Sequence, residues 1–115
     1  MLQQRKTTAE RLIQLAHLYE GGQTSPLLER TIDKALAHEA ETAQQQLAQI
    51  RQDLGTLESQ YELSTDEFMR LFRAGKADDR MDFIDWASLA QMAEGLEVRA
   101  QLLNGITQPA MTSAG

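Results

Sequence analysis

The segment Leu28–Tyr61 has the sequence LERTIDKALAHEAETAQQQLAQIRQDLGTLESQY, which contains no proline and a single glycine, Gly55. From Leu36 onward its apolar residues are separated by alternating steps of four and three, which is a heptad repeat. The repeat has two rows, one of Leu36, Ala43, Ile50 and Leu57 and the other of Ala40, Leu47, Leu54 and Tyr61. We therefore expect one long α-helix whose apolar seam packs against another helix.

A second heptad run downstream supplies a partner within the same chain. Its members are again spaced by three and four: Trp86, Leu89, Ala93, Leu96, Ala100 and Leu103. Between the two runs, Ser64–Glu67 has the pattern of a capping box, and Gly75 is expected to end the short helix that follows. The sequence thus predicts an all-α fold, a coiled-coil-like antiparallel hairpin of two long helices with a short crossing helix between them.

An additional helix is predicted at the N-terminus. It follows a threonine cap and ends at Gly21-Gly22, and Leu28 and Ile32 form the face that receives it. We expect a single helical domain at residues 1–103, with helices at about 8–20, 26–62, 65–74 and 82–103, and a flexible C-terminal tail at 104–115.

The composition limits the possible functions. Eleven basic residues against 17 acidic ones give a net charge of −6, and an acidic surface disfavours binding to nucleic acid phosphates. It suits a basic protein partner, such as an enzyme that handles RNA, although the charge can also serve solubility alone. The chain has no cysteine, its N-terminus lacks an apolar run of the signal-peptide type, and no window approaches the roughly 18 apolar residues of a membrane span. We therefore expect a cytoplasmic protein.

The segment from Tyr61 to Leu89 resembles a group of short, mostly uncharacterised prokaryotic helical proteins. The matching features are Tyr61–Ser64, Glu67-Phe68, Phe72, Gly75, Asp78-Asp79 and Asp82-Phe83-Ile84-Asp85-Trp86, together with Ser25–Lys34 upstream. Two departures are Glu62-Leu63, in place of a glycine-containing turn, and Asp85, where glutamate is usual. The resemblance covers roughly residues 24–103 and implies a small helical protein that is antitoxin-like, the partner of a toxin encoded next to it.

The candidate partner-binding residues lie in this segment: Phe68, Phe72, Asp78, Asp79, Phe83 and Trp86. The aromatic residues are hot-spot types for a protein interface, but they can equally form a small core where the short helix crosses the hairpin. The aspartates can contact a basic partner, or simply stabilise the start of the last helix. A metal site is a third interpretation of their spacing, but the segment has no calcium-loop pattern, so we expect no metal.

Enzymatic activity is not expected. The chain has no glycine-rich phosphate loop, nucleophile elbow or triad pattern, and His17 and His38 lie on different predicted helices. Glu39 and Glu41 are two residues apart and so point in different directions, unlike the paired carboxylates of helical nucleotide hydrolases. We predict no catalytic residue and no cofactor.

The sequence therefore favours a non-enzymatic protein-protein interaction module, antitoxin-like, that neutralises a basic protein by occluding it. One alternative is a structural coiled-coil protein that self-assembles, and we expect a homo-oligomer in either case. Another is a DNA-binding regulator that uses the basic N-terminal patch of Arg5, Lys6 and Arg11.

Overall fold

The computed structural model describes residues 5–107, which form helices without any strand in this part of the chain. The helices are α1 (Thr8–Glu20), α2 (Pro26–Tyr61), α3 (Thr65–Arg73) and α4 (Met81–Thr107). The all-α class and the hairpin of two long helices predicted from the sequence are both confirmed. None of the helices in residues 5–107 is long and apolar enough to cross a membrane.

The chain divides into two compact units whose boundary falls between Lys34 and Ala35, within α2. The single helical domain over residues 1–103 stays a prediction, since α2 runs through this boundary as one continuous helix. A physical reason for the boundary is visible in the sequence. Leu28, Ile32 and Leu36 are spaced by steps of four, out of phase with the heptad seam that starts at Leu36.

The first unit contains α1 and the beginning of α2. Thr7 caps α1: its hydroxyl accepts a hydrogen bond from the Glu10 N–H at 3.1 Å, and the Glu10 carboxylate accepts one from the Thr7 N–H at 2.7 Å. Hydrogen bonding of its carboxylate by Thr7, first by the Thr7 backbone N–H and then by the Thr7 side chain, lowers the pKa of Glu10. The Tyr19 hydroxyl bonds both the N–H and the carbonyl of Ser25, which closes the loop between the helices. None of residues 5–34 is buried, so local capping contributes much of the order here.

The second unit is the helical hairpin. Near the tip, the Tyr61 hydroxyl at the end of α2 donates a hydrogen bond to Asp82 at the start of α4, at 2.6 Å. Far from the tip, Arg99 on α4 forms an ion pair with Glu39 on α2 at 3.3 Å. The late part of α4 thus meets the earlier part of α2, and the two helices run antiparallel.

Both heptad rows face the core of the hairpin, as predicted. No member of either run is exposed to solvent. The core cluster consists of Leu47, Ile50, Leu54, Phe68, Met69, Trp86, Ala87 and Ala93. Alanines on the α4 side of this seam permit close approach of the two helices, and the large side chains are gathered at the tip.

The turn between α2 and α3 contains a strained residue. Glu62 has a φ of 52°, in the left-handed region that glycine adopts most readily. Two local contacts follow it: the Ser64 hydroxyl accepts from the Glu67 N–H at 3.1 Å, and the Glu58 carboxylate accepts from the Thr65 N–H at 2.7 Å. They satisfy amides at the start of α3 that have no partner within the helix.

The boundaries of three helices differ from the predicted ones. α2 and α3 each end one residue early, and α4 begins one residue early, at Met81. The larger difference is that α4 ends at Thr107 and not at residue 103, so Asn104-Gly105 does not stop it. A glycine inside a helix costs only about 1 kcal/mol relative to alanine, and the neighbouring residues sustain the helix. Residues 108–115 of the predicted tail lie outside the described part of the chain.

Candidate functional site

The aromatic residues predicted as a binding cluster form a stacked core at the hairpin tip. The rings of Phe68 and Trp86 are parallel within 2°, and their centroids are 4.1 Å apart. Tyr61 lies on Trp86 with its centroid at 5.8 Å, and Phe83 packs edge-on against Tyr61 at 5.1 Å. Phe72 extends the cluster through Phe68, at 5.7 Å. One continuous aromatic layer thus joins α2, α3 and α4.

Burial separates these aromatic residues into two groups. Trp86 is 0% and Phe68 1% exposed, and the Trp86 indole N–H donates to the Thr65 hydroxyl at 3.0 Å. The prediction of Phe68 and Trp86 as contact residues is therefore corrected, because neither presents any surface to a partner. Phe72 and Phe83 are half-buried and keep part of their surface accessible. The alternative interpretation of the cluster, a small core, applies to the buried pair.

Tyr61 and Asp82 lock the cluster to the start of α4. Their 2.6 Å hydrogen bond is between the phenol of Tyr61 and the carboxylate of Asp82. This hydrogen bond is the main reason that the pKa of Tyr61 is raised, and partial burial adds to the effect. Neither residue was predicted from the sequence to belong to the site, although Tyr61 belongs to the heptad seam.

The loop between α3 and α4 carries the predicted acidic residues. Asp78 and Asp79 are both exposed, and Asp78 lies 3.4 Å from the Arg80 guanidinium. The same guanidinium lies over the Phe83 ring, 5.1 Å from its centroid. Within residues 5–107, Asp79 has no basic side chain within 4.0 Å. Among residues 5–107, the loop therefore presents at least one exposed carboxylate without a basic neighbour.

A groove that the sequence did not predict lies between α2, α3 and α4. It has a volume of about 670 Å³. Acidic, basic and apolar side chains line it: Arg51, Leu54, Glu58, Thr65, Asp66, Met69, Arg73, Ala90, Ala93, Glu94 and Glu97. Four of these are carboxylates and two are guanidiniums, and Arg51 lies 3.5 Å from Glu97. We call this the acidic groove.

The residues of the acidic groove were missed because they come from three distant parts of the chain. Glu58, Asp66 and Glu94 each look like solvent-facing acids of an amphipathic helix when considered alone. Only the antiparallel register brings them around one concavity. The crossing of α3 over the hairpin was predicted, but the side of α3 that faces the groove was not.

The sequence also offered a basic N-terminal patch and a metal site as candidates. Arg5, Lys6 and Arg11 belong to the first unit and are exposed. In the part of the chain that the structure describes, no group of three His, Cys, Asp or Glu side chains has a geometry that can hold a metal ion.

Comparison with known proteins identifies no relative of this chain. No protein family, curated protein sequence or solved structure gave a significant match to this chain. The class of the protein is therefore defined by its fold and surface, an all-α helical hairpin with an acidic groove beside an aromatic tip.

Proposed function

We propose that this protein is a non-enzymatic interaction module that binds a basic protein through the hairpin tip and occludes it, in the manner of an antitoxin. The acidic groove is the observation that carries the proposal. It is a concave surface of about 670 Å³ in which four carboxylates face two guanidiniums. Such a surface fits lysine or arginine side chains projecting from a partner.

The charge around the tip supports the same kind of partner. Residues 61–86 contain seven acidic and four basic residues, and so hold three of the six net negative charges of the chain. Attraction between this region and a basic surface accelerates encounter and selects against acidic partners.

The accessible aromatic surface supplies the apolar part of the proposed contact. Phe72 and Phe83 are half-buried next to exposed acids, and this combination of aromatic surface with a charged rim is common at protein interfaces. The buried stack of Phe68 on Trp86 holds both rings in place. A preorganised surface loses little conformational entropy on binding, so more of the contact energy appears as affinity.

α3 joins the two acidic regions. Asp66, Met69 and Arg73 on one side of this helix line the groove, and its C-terminal end leads into the loop of Asp78 and Asp79. We infer that a partner contacts the groove and the loop together. The antitoxin-like mode of action rests on the resemblance of Tyr61–Leu89 to antitoxin-like proteins.

The experiment is affinity capture from the native host with three tagged proteins. The first is the wild type, and the second carries Asp66→Asn, Asp79→Asn and Glu94→Gln. The third neutralises three acids elsewhere, through Glu20→Gln, Asp33→Asn and Glu41→Gln.

The two variants have the same net charge, so they separate a local site from a general charge effect. We expect one basic protein to be captured by the wild type and by the control variant with Glu20→Gln, Asp33→Asn and Glu41→Gln. The groove-and-loop variant with Asp66→Asn, Asp79→Asn and Glu94→Gln should not capture it. Each of the three proteins is then coexpressed with the captured protein. The wild type and the control variant should suppress the activity of the captured protein, and the groove-and-loop variant should not. Equal capture by all three proteins would refute the proposed site, and capture without suppression would refute the antitoxin-like action.

A further inference from the structure

α4 has a second apolar side, opposite to the core seam. Five large apolar residues lie on it with between 45% and 64% of their surface exposed: Ile84, Met92, Val98, Leu102 and Ile106. Arg99 is the one charged residue among them, and its guanidinium is held at Glu39 of α2. α4 thus has apolar residues on two opposite sides, although Glu94 and Glu97 also lie on it. Leaving the second apolar side in water is unfavourable, which indicates that another surface covers it.

The apolar positions on this side, together with the polar Ser88, are symmetric about Gly95. Met92 and Val98 are each three residues from Gly95, Ser88 and Leu102 each seven, and Ile84 and Ile106 each eleven. We call this set the α4 stripe. A two-fold axis at Gly95 would place a second α4 antiparallel to the first, with Met92 of one copy opposite Val98 of the other. Each apolar residue then meets a partner of the same set, and this self-complementarity is what an isologous dimer requires.

The surroundings of Gly95 favour close approach of a second helix. Gly95 has no side chain, and the space where one would stand is open, with no atom within 4 Å. Beside it, a groove of about 500 Å³ runs between α4 and α2, where Gln46, Gln49 and Ile50 form the α2 wall. A helix of a second hairpin fits such a groove, and two hairpins joined in this way make a four-helix bundle.

The charges also match this arrangement. Under the two-fold axis, Arg99 faces the neutral Gln91 of the other copy, and no acid on the α4 stripe faces another acid. Met81 lies 14 residues from Gly95, so the acidic tips of two copies would be about 42 Å apart at 1.5 Å per residue. That distance is about five Debye lengths at physiological salt, so repulsion between the tips is screened.

The α4 stripe and the groove beside it set the area available to a second copy. The α4 stripe is about 33 Å long from Ile84 to Ile106, and a helix is roughly 10 Å wide, so the stripe alone covers roughly 330 Å². The α2 wall of the groove enlarges this surface toward the about 800 Å² per partner of a standard interface. We propose that a second copy of this chain covers the α4 stripe, as an antiparallel two-fold dimer centred on Gly95. This proposal does not depend on the binding of a basic protein at the tip.

The experiment is sedimentation equilibrium of the full chain. The wild type should sediment with twice its 12.9 kDa mass. Val98→Glu should weaken the dimer by about tenfold or more, because it inserts a charge against Met92 of the other copy. Adding Met92→Lys to the same chain should restore it, because each new lysine then faces a new glutamate. In a parallel dimer, the two new lysines would instead face each other, and so would the two new glutamates, so the second substitution would not restore the dimer.

Two further variants make the result decisive. Gln52→Glu places the same charge on the side of α2 that faces away from the core, and should leave the dimer unchanged. Leu102→Glu, with and without Ser88→Lys, repeats the charge exchange at the pair of positions seven residues from Gly95. Circular dichroism should find every variant as helical as the wild type. The proposal is overturned if the wild type is a monomer at about millimolar concentration, if Val98→Glu dimerises like the wild type, or if neither lysine restores the dimer.

Discussion

Replacing Trp86 by alanine should destabilise the hairpin more than any other single truncation on α4. The indole is completely buried, lies flat on Phe68 at 4.1 Å, and donates its N–H to the Thr65 hydroxyl. Its removal opens a cavity at the point where α2, α3 and α4 meet, and leaves the Thr65 hydroxyl without this partner.

The magnitude follows from these contacts. Truncating a buried Trp or Phe to alanine costs about 3–5 kcal/mol, and losing the partner of the Thr65 hydroxyl adds about 1 kcal/mol. The second unit has about 70 described residues, so its free energy of unfolding should be about 4–11 kcal/mol. Trp86→Ala should therefore remove about half of it or more, while Trp86→Phe, which keeps a stacked ring, should cost only about 1–2 kcal/mol.

Urea unfolding followed by circular dichroism, at one fixed protein concentration, measures the effect. Met81→Ala is the matched control on α4, since Met81 is 68% exposed; it should cost less than about 0.5 kcal/mol. If Trp86→Ala costs less than about 1 kcal/mol, the tip is not held together by its aromatic core, and the argument that Phe72 and Phe83 are preorganised fails with it.

Three further predictions concern the turns and the tip. Glu62→Gly should raise the free energy of unfolding by up to about 1 kcal/mol, because it relieves the left-handed φ, whereas Gly75→Ala (φ 72°) should lower it by about 1 kcal/mol. Both changes are measurable by urea unfolding. If the two substitutions change the free energy of unfolding in the same direction, the left-handed conformations of Glu62 and Gly75 are contradicted. Ser64→Ala should cost about 1 kcal/mol in the same assay, because it removes the α3 cap; no loss would mean that the cap is unimportant. The raised pKa of Tyr61 makes stability depend on pH. An unfolded tyrosine ionises near pH 10, so the contribution of the hydrogen bond to Asp82 is complete below about pH 10 and is lost as the pH rises through the folded pKa. Above about pH 10, wild type should therefore lose stability faster than Tyr61→Phe, and identical pH profiles would contradict the hydrogen bond.

The hairpin was predictable because its signal is periodic. The steps of four and three from Leu36 to Tyr61 and from Trp86 to Leu103 each specify one helix face, and two matching faces in one chain specify a pair. Caps at Thr7 and Ser64 located the starts of two helices for the same local reason. The end of α4 was not predictable in this way, since Asn104-Gly105 is a stop signal only when the flanking residues do not sustain the helix.

The candidate site was less predictable than the fold. Composition drew attention to Phe68 and Trp86, but an aromatic residue in a helix has the same spacing whether it is buried or presented to a partner. Glu58, Asp66 and Glu94 were overlooked for the opposite reason, since isolated exposed acids are ordinary. Their meeting in one groove depends on the register between α2, α3 and α4, which no local pattern encodes.

The most direct test of the tip as a binding surface is an NMR titration of the isotopically labelled protein with the basic protein captured from the host. The account predicts that the largest backbone amide shifts fall in two places, the acidic groove around Asp66 and Glu94 and the loop at 76–80. The α4 stripe at Met92–Val98 should change little. Shifts concentrated on the α4 stripe, or on α1, with the groove and loop unmoved, would contradict it.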